Sequence, residues 1–323
     1  MATYLGIHGG KIQNYTTDPD YPSTGEVWYN STANTIKIAS ATSAGAWATG
    51  NNMNDSRTSL GGTGVQTSAL GFGGYGDSQG VTESYNGTNW TEVNDLNNAR
   101  VYLAGSGVSN TSALAIGGYV TVPRAYTESW NGTNWTEVND LNTARFALTA
   151  AGTQTSSIAI GGATPPAARP TNSEIWNGTN WTNTGTINVA RDSLGSAGAD
   201  STNALIFGGT NGSVQSLTEI WNGSSWTEVN NLTTARMGLG GAGIYTAAIA
   251  FAGSVPGNTA KTELWNGTNW AEQNDMSTAR REIAGAGNST AGLGFGGYAT
   301  AASAATEEWT GAGALQTKTI STD

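Results

Sequence analysis

Residues 128–145 read ESWNGTNWTEVNDLNTAR. Close copies occupy 83–100, 174–191, 219–236 and 263–280. Each starts at a Glu, passes through an apolar or aromatic run to Asn-Gly, meets a Trp, and ends a polar turn at Ala-Arg. The Trp after the turn falls at Trp47, Trp90, Trp135, Trp181, Trp226 and Trp270. The Arg falls at Arg57, Arg100, Arg145, Arg191, Arg236 and Arg280, ten residues after each Trp. Successive Arg residues are 43 to 46 apart, and a Gly-Gly or Ala-Gly pair closes an apolar run in every unit. A period in the forties with four short apolar runs per unit predicts an all-β fold, a β-propeller.

One unit shows the four runs. After Arg145, FALTAAG is a small-residue strand A and SSIAIGG an apolar strand B. SEIW is strand C and WTNTGTI strand D. Asn177-Gly178 lies between them, where a tight hairpin demands positive φ. Blades crowd at the axis, so the innermost strand must be thin; Ala and Gly in strand A meet that need. Trp suits the wider gaps between blades. No blade buries both faces alone, so the units must form a ring.

Six Trp–Arg pairs predict six blades. The chain starts one strand early, because Trp47 holds a strand-D position with no strands A to C before it. At the other end Trp309 is a strand-C aromatic, and Ala314 stands where the next Trp would be. The strand around Ala46–Met53 is therefore expected to complete the last blade, begun by residues 280–309, and to remove the ring's open edge. The expected division is an N-terminal hairpin segment, 1–43, and a six-bladed propeller, 44–323.

Residues 1–43 read differently. TDPDYPSTG (17–25) is a turn-rich linker by its Asp, Pro and Gly. GEVWYNSTANTIKIAS then predicts a hairpin: Val27-Trp28-Tyr29, a turn over Ser31–Asn34, and Ile36-Lys37-Ile38. A small docking or capping hairpin and a remnant of a seventh blade both fit this stretch.

Charged residues make up 11 % of the 323, glycines number 46, and twelve Trp and eleven Tyr supply the core. The net charge of −10 argues against a nucleic-acid partner. No stretch has the length of a membrane-spanning helix. The absence of Cys excludes disulfides, thiolate metal sites and thiol nucleophiles. The opening MATYLGIHGGKIQ lacks a basic region followed by an apolar core, so it gives no secretory signal. A protein without one can leave a cell by lysis.

The unit resembles a kelch repeat: Arg opening strand A, Gly-Gly closing strand B, an aromatic in strand C and Trp in strand D. The resemblance covers about residues 44–310. It departs from that pattern at the C–D turn, where Asn-Gly-Thr-Asn replaces a Pro-containing turn. PSTGEVWYNSTANTIKI (22–38) resembles a short hairpin motif of tailed-phage fibre and other virion proteins. Kelch propellers serve as scaffolds, enzymes and sugar binders, so the resemblance implies a fold and leaves the function open.

Chemistry is sparse. His8 is the single histidine, so no Ser–His–Asp constellation or His-based metal cluster can form. The copper oxidases built on kelch propellers need His and Cys ligands, which are missing. Six of the nine Arg obey the repeat, and a Glu precedes each strand-C aromatic: Glu83, Glu128, Glu174, Glu219, Glu263 and Glu307. A catalytic set should break the symmetry, so these predict structural Arg–Glu bonds. Asp95, Asp140 and Asp275 read as turn formers. Asn-Gly-Thr and Asn-Trp-Thr match a glycosylation acceptor, but the hairpin and strand D already account for them. No catalytic residue, metal or cofactor is expected.

The D–A turns are nearly uniform, whereas the B–C loops vary, and variable loops on a rigid frame carry recognition. Strand alternation puts both on one face. Tyr75, Asp77, Tyr119, Arg124, Tyr126, Arg169, Asn211, Lys261 and Tyr298 are the expected ligand-binding residues there. The leading expectation is a non-enzymatic phage virion surface or appendage protein: a fibre, knob or decoration. Its N-terminal segment would dock to other virion proteins. Its propeller would bind a host-surface glycan or protein, and self-association is left open. The alternatives are a cellular, cytoplasmic kelch scaffold or lectin, and a glycan-processing enzyme.

Overall fold

The computed structural model describes residues 12–19, 26–41, 44–76, 79–165, 168–312 and 315–320. Two compact units emerge: residues 46–310, and a smaller one built from residues 1–45 and 311–323. Among the described residues no helix occurs.

The larger unit is a six-bladed β-propeller of four-stranded antiparallel meanders. Blade 1 is typical. Strand A (Gly61–Val65) pairs with B (Ser68–Phe72), B with C (Thr82–Tyr85), and C with D (Trp90–Val93). Blade 2 spans Ala104–Val138, blade 3 Thr149–Thr186, blade 4 Gly195–Val229 and blade 5 Gly240–Glu272. Blade 6 takes strands A to C from Ala284–Gly287, Ala291–Phe295 and Thr306–Thr310, and its outer strand from Ala46–Thr49. Trp47 is in register with Trp309. The borrowed strand thus closes the ring, as the sequence predicts, and leaves no sheet edge at that seam.

The repeated Arg, Glu and glycine pair form one unit of structure. All six Arg and Glu side chains are buried. They pair within a blade, with N···O distances of 2.6–3.1 Å in five blades and Arg100–Glu128 as the sixth. Each guanidinium also donates to the carbonyl of the first residue of the pair that ends strand B, as Arg145 does to Gly161. The other Glu oxygen accepts a backbone N–H of the incoming D–A turn at 2.6–2.8 Å. Burial pulls the guanidinium pKa values down and the facing Glu opposes it. A charge so far from water persists only because every blade supplies its partner. These are structural pairs, as the symmetry of the sequence implies.

Between blades the outer Trp carries the contact. Trp135 packs its ring 5.0 Å from Phe72 of blade 1 and donates through Nε1 to Thr82 Oγ1. The six strand-D Trp residues repeat that bond to a Thr or Ser in the first two residues of strand C of the preceding blade, at 2.8–3.2 Å. The strand-C Trp residues donate instead to carbonyls of their own A–B turns. A buried indole N–H needs such an acceptor, which is why each Trp site carries one.

The smaller unit is a four-stranded sheet: Gln13–Tyr15, Val27–Asn30, Thr35–Ala41 and Leu315–Ile320. Its hairpin has the expected register, Val27 opposite Ile38 and Tyr29 opposite Ile36. Its first pair is parallel, unlike any blade meander. Asp18 gathers Lys37 Nζ, Asn30 Nδ2 and Trp28 Nε1 at 2.7–3.1 Å. The expected boundary at 44–323 needs correction at its far end. Leu315–Ile320 pairs with Thr35–Ala41 rather than with a blade. After Trp309 the sequence offers no further Trp, so no strand-D residue there holds it to the propeller's pattern.

Candidate functional site at the channel mouth

The D–A turns and B–C loops do share a face: in blade 1, Gly80 accepts from Leu96 N–H and Gln79 from Arg100 N–H. On that face the second residue after each repeat Arg adopts a left-handed conformation. These are Ser59, Tyr102, Ala147, Ser193, Gly238 and Glu282, with φ of 51–60°. Each donates its N–H to the carbonyl of its counterpart in the preceding blade, at 2.6–3.0 Å, and Ser59 closes the circuit on Glu282. Six backbone hydrogen bonds thus encircle the axis. Below them strands A, lined by Gly, Ala, Ser and Thr, wall a central cavity of about 210 Å³.

The backbone circuit obeys the symmetry and its side chains break it. The two residues after Arg are Thr-Ser, Val-Tyr, Phe-Ala, Asp-Ser, Met-Gly and Arg-Glu around the ring. Blades 1 to 3 carry a row of rings: Tyr75 lies 5.6 Å from Tyr102, Tyr102 6.1 Å from Phe146, and Phe146 5.2 Å from Tyr119. The seam of blades 6 and 1 is polar. Ser59 Oγ donates to Glu282 Oε2 at 2.6 Å, and Thr58 Oγ1 is 3.3 Å from the same oxygen. Burial pushes the Tyr102 phenol up, and the Glu282 charge pushes it further. Arg281 donates to Asn258 Oδ1 at 2.9 Å and covers the Tyr298 ring at 4.4 Å.

The residues expected from sequence divide. Tyr75, Tyr119 and Tyr298 stand beside the ring through bridges to Thr58, Val101 and Arg281. Arg169 is fixed by Asp192, whose other oxygen accepts from Ser193. Asn211 Oδ1 accepts from Ser213 and Gln215 within its own loop. Arg124 covers Tyr126 at 5.4 Å, and Lys261 pairs with Glu272 of the outer strand, so these three lie toward the rim. Asp77 and His8 lie outside the described residues. Tyr102, Phe146, Gly238, Arg281 and Glu282 lie just after the repeat Arg, outside the B–C loops where the sequence predicts ligand contacts. Their signal was available: the positions just after the repeat Arg are where otherwise similar turns diverge. Among the described residues no three His, Cys, Asp or Glu side chains converge in a way that could hold a metal ion.

No protein-family model and no curated protein matches the chain. Solved structures do: 357 chains match, so the likeness is common and selects no function. One is described as "Structure of YjhT", with a TM-score of 0.69 at 9% identity, covering 80% of this chain and 95% of that one. At that identity the likeness speaks for the fold alone.

Proposed function

We propose that this chain is a non-enzymatic virion surface or appendage protein whose kelch-type propeller binds a host-surface glycan at the channel mouth. One observation carries the reading. The repeat's own demands account for the Trp, Arg, Glu and glycine positions, whereas the ring's side chains, like the B–C loops beside them, depart from symmetry. There, rings stand beside hydroxyls, a carboxylate and a guanidinium, a mixture suited to stacking on a sugar face and bonding its hydroxyls. The smaller sheet, whose hairpin resembles a motif of phage fibre proteins, would dock to other virion proteins.

Glycoside hydrolysis would need two working carboxylates. Among the described residues at the mouth, Asp192 is already bound by Arg169 and Ser193, and Glu282 is the other acid. A cellular lectin would use the same mouth, so location separates the two binding readings. Mass spectrometry of purified particles should find this chain in stoichiometric amounts. Its absence from particles, with glycan binding retained by the purified protein, would transfer the reading to a cellular lectin.

A further inference from the structure

Gly238 is the member of the backbone ring that has no side chain. Its conformation does not require glycine, since Ala147 and Tyr102 hold φ of 51° and 54° where Gly238 has 60°. Its neighbour gives a reason. A β-carbon on Gly238 would stand 3.2 Å from the Glu282 backbone nitrogen and 3.5 Å from Glu282 Cγ. Glycine leaves clear the space against the Glu282 backbone and the stems of the Glu282 and Arg281 side chains.

The two oxygens of Glu282 are used unequally. Oε2 accepts from Ser59 and Thr58. Oε1 has Arg281 Nε at 3.7 Å, beyond hydrogen-bond distance, and accepts no hydrogen bond among the described residues. A carboxylate offers about four acceptor positions, so Oε1 has capacity to spare. Arg281 is held by a hydrogen bond to Asn258 and by its stacking on Tyr298. A fixed donor and a fixed acceptor therefore stand side by side over a floor without a side chain.

We propose that Gly238, Arg281 and Glu282 form a subsite for a neutral saccharide. Glu282 Oε1 accepts from one sugar hydroxyl while the Arg281 guanidinium donates to its neighbour. The inference rests on the glycan-binding reading above and narrows it to a ligand class. A carboxylate-bearing sugar would meet the negative charge of Glu282, and an ammonium group would meet the positive charge of Arg281. A hydroxyl both donates and accepts, so a vicinal pair satisfies both. Tyr102 supplies the ring for the sugar's apolar face.

The test is an array of neutral hexose and N-acetylhexosamine oligosaccharides beside carboxylate-bearing ones. Calorimetry follows with the best neutral binder on wild type, Glu282→Gln, Gly238→Ala and, as a control, Glu228→Gln, an exposed residue of the outer strand of blade 4 (Trp226–Val229). Neutral sugars should dominate. Glu282→Gln and Gly238→Ala should each weaken binding about tenfold or more, and Glu228→Gln should leave it unchanged. Ala147 already holds the ring conformation, so Gly238→Ala should fold; should it not, Glu282→Gln decides alone. A preference for carboxylate-bearing sugars, or wild-type affinity in Glu282→Gln, would overturn the subsite while the glycan reading stood. Failure of the wild-type chain to bind any saccharide would remove both.

Discussion

Gly105 faces Phe72 across the seam between blades 1 and 2, where a β-carbon would stand 2.9 Å from Phe72 Cζ and 2.6 Å from the Gly62 carbonyl oxygen. The relation recurs around the ring. Strand B ends in Phe at Phe72, Phe207, Phe251 and Phe295, and the next strand A answers with Gly105, Gly241, Gly285 and Gly62. Where strand B ends in Ile116 or Ile160, the answering residue is Ala150 or Ser196. Large side chains face glycine and smaller ones face a β-carbon, so volume is conserved across each seam.

Gly105→Ala should therefore destabilise by about 1–3 kcal/mol through overpacking alone. Phe72→Ile in the same chain should recover part of that loss, as the Ile116–Ala150 seam already shows. Urea denaturation of the two single variants and the double variant measures the coupling, and strict additivity would count against the pairing.

Arg145→Met should cost about 3–5 kcal/mol, because Glu174 would remain buried without its cation. Removing both charges with Arg145→Met and Glu174→Met should cost less than the two single losses combined. Thermal unfolding of the three variants decides. A neutral Arg145→Met would mean that the pair contributes nothing.

Trp47 is the latch of the ring, with its centroid 5.5 Å from Trp309 and 5.0 Å from Phe251. Trp47 is half-buried, so Trp47→Ala should cost about 2–3 kcal/mol, below the full-core range, and should loosen the outer strand of blade 6 first. Limited proteolysis should cut near Ala46–Thr49 in the variant before any other site. An unchanged cleavage pattern and melting point would contradict the latch.

Asp18 offers a pH prediction for the smaller sheet. Bonds from Lys37 and Asn30 hold its carboxyl down at about 2, against an ordinary value of 3.8. A depressed native value adds stability that is present above the unfolded pKa and is lost as pH falls toward the native one. The sheet should weaken between about pH 4 and pH 2, and Asp18→Asn should remove that dependence. NMR titration of the Asp18 carboxyl, with amide signals of Val27–Asn30 followed in parallel, provides the check.

The blade count, the four strands, the borrowed outer strand and the structural role of the Arg–Glu pairs were legible because they repeat. Six copies of one spacing average out local ambiguity, and a symmetric charge pair has few other readings. The fate of Leu315–Ile320 was not legible, since a single short strand carries no mark of the sheet it will join. The mouth was legible only in part. Tyr75, Tyr119 and Tyr298 lie in visibly variable loops, whereas Tyr102 and Glu282 sit one turn away inside an otherwise constant motif.

Sequence alone thus determined the periodic architecture, because each blade must bury the same faces against a copy of itself. Tertiary structure alone decided which side chains meet at the axis. Ser59 and Glu282 are 223 residues apart in the chain and 2.6 Å apart in space. Only closing the ring brings the first blade's turn against the last, and no local pattern encodes that distance.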